Sequence, residues 1–179
     1  MVDNIATFIE SNKKLAEDVT KKTDERNNLL DLKAFTIAGN PKKTYLPPQR
    51  LDEVPSFDFS SLDAAFVRLN ASAWNYEKAL SKLQKGSLSA AKKSEINNIL
   101  KNVDQAMVSD GGLPRRDWFK NMIYAPGFYT GYGVKTLPGI REGLEQRNWN
   151  EVDTYIQEVA KALDRAAAKI NMASNILSR

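Results

Sequence analysis

Residues 148–177 read NWNEVDTYIQEVAKALDRAAAKINMASNIL, and this stretch sets Val152, Ile156, Val159, Leu163, Ala166, Ile170, Ala173 and Leu177 alternately four and three residues apart. That repeat is one face of a helix of about eight turns, and no strand pattern competes with it. Asn148 is a good N-cap, and Glu151 three residues later completes a capping box. Alanines 160, 162, 166, 167 and 168 crowd the middle of the helix and permit close approach of a neighbour. Working backwards, Leu62, Phe66, Leu69, Ala73, Tyr76, Leu80 and Leu83 repeat the same spacing from Ser60 or Ser61 to a stop near Gly86. Ile96, Ile99, Val103 and Ala106 mark a third helix over residues 89–107, stopped by Asp110-Gly111-Gly112. Ile5, Phe8, Leu15 and Val19 mark a first, over residues 3–22.

Between the first two helices, residues 33–57 hold Pro41, Pro47, Pro48 and Pro55. Each removes a backbone donor and biases its predecessor away from helix, so this is a long connection that has to pack along a surface, anchored at its end by Phe57 and Phe59. The expected fold is all-α: an antiparallel four-helix bundle with a proline-rich connection after the first helix and a long aromatic loop before the last, in one domain over residues 1–179.

Composition narrows the chemistry. The 179 residues include no Cys and no His, which excludes thiol and imidazole catalysis, disulfides and Cys/His zinc sites. No loop carries the dense acidic spacing of a calcium or magnesium site. Twenty-six Lys and Arg face 22 Asp and Glu, and the basic pairs are interspersed with acids, so no nucleic-acid stripe forms. No apolar run approaches the ~18 residues of a membrane span, and the N-terminus has no signal-peptide pattern.

The loop between the third and last helices runs GLPRRDWFKNMIYAPGFYTGY over residues 112–132 and concentrates six of the sixteen aromatics between Trp118 and Tyr132. A solvated linker does not collect such groups, so Trp118, Phe119, Met122 and Ile123 are expected to cap the end of the bundle. Arg115 and Arg116, beside Asp117, read as intramolecular ion-pair partners or as caps on the carbonyls of the third helix. Asn70-Ala71-Ser72 is a glycosylation sequon placed mid-helix.

An ordered set of residues here is similar to a known family. Gly112-Leu113-Pro114 with Arg116, then Tyr124-Ala125-Pro126, Tyr132 and Leu137-Pro138-Gly139-Ile140, after Glu53-Val54-Pro55 and Asp58-Phe59-Ser60, resembles the C-terminal helical, transferrin-receptor-like dimerisation domain of the glutamate carboxypeptidase and transferrin receptor group. The resemblance implies a module that follows a zinc peptidase domain in a longer polypeptide, pairs with its twin in a homodimer and lends a loop to the substrate cleft. Zinc would then belong to the peptidase domain, and this chain alone would not be an enzyme. Neither nucleic acid nor direct membrane contact is expected. The residues do not fix a compartment; the resemblance is compatible with a membrane-anchored secretory-pathway or vacuolar parent. It also assigns structural roles to Gly112, Pro114, Arg116, Tyr124, Pro126, Pro138 and Gly139.

Glutamate-specific members present adjacent Lys and Tyr side chains to the substrate, at the positions of Gly131 and Tyr132. Only the tyrosine is kept here, and Lys135 is the nearby cation that would compensate. A phenol offers one hydrogen bond where lysine adds a full charge. The resemblance therefore also admits a parent that is a catalytically inactive, receptor-like or trafficking homologue.

Overall fold

The computed structural model describes residues 1–37, 40, 42, 46–83 and 88–178, which are mostly helical with one small sheet. In chain order these are α1 (Val2–Asp31), α2 (Ala34–Ile37), α3 (Ser60–Ser81), α4 (Ala90–Lys101), α5 (Val103–Ala106), β1 (Tyr124–Pro126), β2 (Val134–Thr136), α6 (Pro138–Gln146) and α7 (Trp149–Leu177). Pro41 and Gly86, named above as connection and stop, lie outside the described residues.

All eight stripe residues of α7 are buried, and so are Ala160, Ala162 and Ala167 beside them. The buried face is wide because α7 is packed on more than one side, chiefly by α3 and also by α4, α5 and α6. Ala168 alone of the five alanines faces outward. Arg68 bonds Asp164 at 2.7 and 2.9 Å, while Ala79 and Leu83 meet Ala173 and Leu177, so α3 and α7 advance together along their length. On α1, Lys13 bonds Asp63 at 2.7 and 2.9 Å, and Met1 lies near Ala73 and Tyr76, so α1 runs against α3.

Helix α1 continues nine residues beyond the expected stop at Lys22, over turns whose buried face is polar. Thr23 and Asn27 replace aliphatic residues there, a change that hydrophobic periodicity cannot register. Asn27 donates to the Leu51 carbonyl at 2.9 Å and accepts from the Leu51 N–H at 3.0 Å, pairing the connection to the helix as a neighbouring strand would. Arg26 adds a bond to the Gln49 carbonyl at 2.9 Å. Arg147 donates to Thr23 Oγ1 at 2.8 Å and also binds the Asp52 carbonyl. The connection thus lies as a strap along α1. Phe57 and Phe59 anchor its end as expected, with the Phe57 and Trp149 rings 5.8 Å apart.

Three other expectations are corrected. The third helix is two: Asn102, at φ −95° and ψ 7°, interrupts it and donates to the Asn98 carbonyl at 2.6 Å. The capping box on α7 does not form, because Arg115 draws Glu151 away with bonds of 2.5 and 3.1 Å, while the Asn148 N–H is bound by the Gly143 carbonyl at 2.8 Å. The aromatic loop also contains strands. β1 and β2 pair antiparallel with Ala125 opposite Lys135, and three residues each are too few to show alternation in the sequence.

Candidate functional site

The loop is built around a buried ion pair. Arg116 and Glu142 are each 3% exposed, and Arg116 Nη2 donates to both carboxylate oxygens at 2.8 and 2.7 Å. Glu142 also accepts the Phe128 N–H at 2.8 Å, and Arg116 Nη1 binds the Pro126 carbonyl. The guanidinium lies 5.5 Å from the Phe119 ring centre and 5.8 Å from that of Phe128. Two charges out of water need this degree of compensation. Glu142 gave no signal in the sequence: it is one acid in a short helix of mixed composition, and only the fold sets it against Arg116.

Both arginines therefore make ion pairs, but with Glu142 and Glu151 rather than with Asp117. The carbonyls at the end of α5 are taken by Arg165 instead, which bonds Ala106 at 2.9 Å and Val108 at 2.7 Å.

Tyr155 knits the loop to α7. Its hydroxyl donates to the Gly112 carbonyl at 2.6 Å, and its ring lies where a side chain on Gly139 would stand, 2.2 Å from an added Cβ. Gly112 has φ +63°, and a Cβ there would come within 2.1 Å of the Asp117 carbonyl oxygen. Only glycine fits both positions without backbone movement. Burial raises the Tyr155 phenol above its usual value near 10, helped by the Glu151 and Glu158 charges and opposed by Arg115. Leu137 takes a left-handed conformation at φ 46° to start α6, with Pro138 as its first residue. Pro114 is half-buried beside Arg115, whose own φ is +61°.

On this base the outer part of the loop is presented to solvent. Met122 and Ile123 are buried and Phe119 packs against the core, as expected, whereas Trp118 is 70% exposed and does not cap the bundle. Tyr124, Tyr129 and Val134 are exposed with it. Tyr132 is fully exposed, and its phenol has no hydrogen-bond partner among the described residues. Gly131 beside it has φ +62° and open space around it. Lys135 is turned the other way, bonding both Glu145 oxygens at 2.8 Å, and Arg141 shares that carboxylate. The structure thus brings Gly131 and Tyr132 together at the loop tip and ties Lys135 to α6.

A second surface lies on α3. Besides Leu62, Ala65, Leu69 and Ser72, which face the core, α3 leaves Val67 64% and Trp74 58% exposed, with Ala64 and Ala71 exposed on the same spacing. Among the described residues, no group of three or more His, Cys, Asp or Glu is placed to hold a metal ion, and no helix is long and apolar enough to cross a membrane.

The family model for the transferrin receptor-like dimerisation domain matches residues 57–171, from the end of the strap through most of α7. A probable glutamate carboxypeptidase of Arthroderma benhamiae is 33% identical over 113 residues, which cover 63% of this chain and 16% of that protein. A probable glutamate carboxypeptidase of Arabidopsis thaliana is 31% identical over 85 residues, 44% of this chain and 12% of its own. An inactive zinc metalloprotease of Schizosaccharomyces pombe is 25% identical over 137 residues, 70% of this chain and 17% of its own. The chain spans less than a fifth of the length of these relatives.

Proposed function

The chain belongs to the transferrin receptor-like dimerisation domain family, and on that premise we propose that it is the homodimerisation module of a glutamate carboxypeptidase-like protein. The family match over residues 57–171 carries the reading. Its frame is a four-helix bundle of α1, α3, α4 with α5, and α7, up and down in chain order so that α3 and α7 run parallel, acting as one unit over residues 1–179. Surplus apolar surface supports it: Val67 and Trp74 on α3 and Met172 on α7 are exposed on helices whose other faces already form the core. Burying such surface against an identical surface is how an isologous contact gains stability.

The second role is to line a substrate cleft. The tip of the loop, with Tyr132 and Gly131, faces the peptidase domain of the same polypeptide, and Trp118, Tyr124 and Tyr129 form the apolar contact with that domain. Zinc and the catalytic groups belong to that domain, and this chain does no chemistry by itself. Nucleic acid and membrane are not its partners. A second reading, a receptor-like or trafficking homologue without activity, is favoured by Gly131: where glutamate-specific members hold a lysine, this chain has no side chain to offer charge.

The test is the absolute solution mass over a dilution series, by light scattering or sedimentation equilibrium. The expected result is a species near twice 20.1 kDa. A 20.1 kDa particle at every concentration would remove the homodimer from what this chain does alone.

A further inference from the structure

Helix α3 carries two stripes where a helix serving a single core needs one. Leu62, Ala65, Leu69 and Ser72 face inward. On the outer side Ala64, Val67, Ala71, Trp74 and Lys78 are exposed at steps of three, four, three and four, the spacing of a coiled-coil seam. We propose that this outer stripe pairs with the α3 stripe of a second copy, antiparallel, about a two-fold axis at Ala71. The proposal rests on the homodimer reading above and deepens it by naming the face, the partner helix and its direction.

The residues along the stripe are self-complementary in that arrangement. Ala71 at the axis is small enough for two helices to approach closely. Val67 then meets the partner's Trp74 on each side, so a large side chain is set against a smaller one. The Lys78 ammonium sits 4.6 Å from the Trp74 ring centre. Antiparallel pairing carries that charge to the partner's Asp63 end. A carboxylate accepts several hydrogen bonds, so Asp63 serves its own Lys13, at 2.7 Å, and a second cation as well. Parallel pairing would instead stack Trp74 on Trp74 and Lys78 on Lys78, with the helix dipoles opposed to pairing. Trp74, central and aromatic, is the residue expected to dominate the contact.

Asn70 is exposed one residue from the axis, and the Ser72 hydroxyl of its sequon is buried, donating to the Leu69 carbonyl at 2.7 Å. A glycan on Asn70 would occupy the seam, so the pairing requires Asn70 unmodified.

A chain without cysteine allows a clean test by single-cysteine oxidation, read as covalent dimer at a concentration where the mass is dimeric. Ala71→Cys is expected to crosslink at least about 10-fold faster than Ala168→Cys on the outer face of α7, because only Cα atoms within about 7 Å can be bridged. A mixture of Val67→Cys and Trp74→Cys chains is expected to give the mixed dimer in preference to either self-crosslinked one. Trp74→Glu is expected to halve the solution mass and leave the far-ultraviolet helical signal unchanged. A dimeric mass without rapid Ala71→Cys crosslinking would overturn the proposal and leave the homodimer reading intact. Val67→Cys self-crosslinking ahead of the mixture would reverse the helix direction and overturn it too. A monomer at all concentrations would remove the homodimer reading itself, and the proposal with it.

Discussion

The pair α3 and α7 buries aliphatic side chains on a regular repeat, whereas residues 112–142 bury two full charges and a left-handed glycine, with the half-buried Tyr155 phenol of α7 bonded to that glycine. In the helix pair each buried residue resembles its neighbours in chemistry, and losing one leaves a hole that its surroundings can partly fill. In the loop each buried group has a specific partner, and losing one leaves the partner stranded. The first kind of packing tolerates variation. The second fixes one backbone course, and it is the second that holds the exposed Tyr132 and Trp118 in place.

The largest effect is expected where that difference is sharpest. Arg116→Met leaves Glu142 buried without its cation, a loss of about 3 to 5 kcal/mol in urea unfolding. Replacing both, as Arg116→Met with Glu142→Leu, should recover most of this, since an apolar pair of similar volume can replace a buried ion pair at little cost. If the single change cost less than about 1 kcal/mol, the loop would be held by its apolar contacts and the comparison would fail.

The two regions were also unequally legible in the sequence. Every stripe residue named on α7 is buried, because a helix that faces neighbours along its whole length repeats the same demand each turn. The family motif names Gly112, Arg116 and Gly139, whereas the groups they meet in the fold, Glu142 and Tyr155, are 26 and 43 residues away from Arg116 and Gly112 along the chain. No local pattern joins them. The residues of the outer α3 stripe are faint in the sequence for the opposite reason: Ala64 and Ala71 are weakly hydrophobic, so the seam reads as ordinary helix surface until the inward face is known. The last turns of α1 escape the hydrophobic repeat because Thr23 and Asn27 fill its buried face there through hydrogen bonds.

On the helix side, Leu163→Ala is expected to cost about 3 kcal/mol, as for a fully buried leucine. Ala168→Ser, outward on the same helix, should stay within about 0.5 kcal/mol. Equal losses from both would mean that α7 is enclosed all round. A smaller, local effect is expected at the strap. Asn27→Ala removes both bonds to Leu51, worth about 1 to 2 kcal/mol together. Its signature is faster proteolytic cutting within residues 46–59 at temperatures well below the melting transition. Unchanged cutting would show that Phe57 and Phe59 alone hold the strap.

The smallest effect sharpens the comparison through pH. Tyr155→Phe keeps the ring against Gly139 and loses only the bond to the Gly112 carbonyl, about 1 kcal/mol at pH 7.5. Burial raises the folded phenol above its unfolded value near 10, so the folded state holds that proton more tightly than the unfolded one. Its contribution to stability is therefore complete below pH 10 and is lost as pH rises through the folded value. Phenylalanine has no such proton. The gap between wild type and Tyr155→Phe, measured by urea unfolding, should accordingly narrow between pH 7.5 and pH 10.5. A gap that stayed constant would mean that the phenol ionises alike in both states, and the hydroxyl would then be a surface bond rather than part of the cluster that locks the loop to α7.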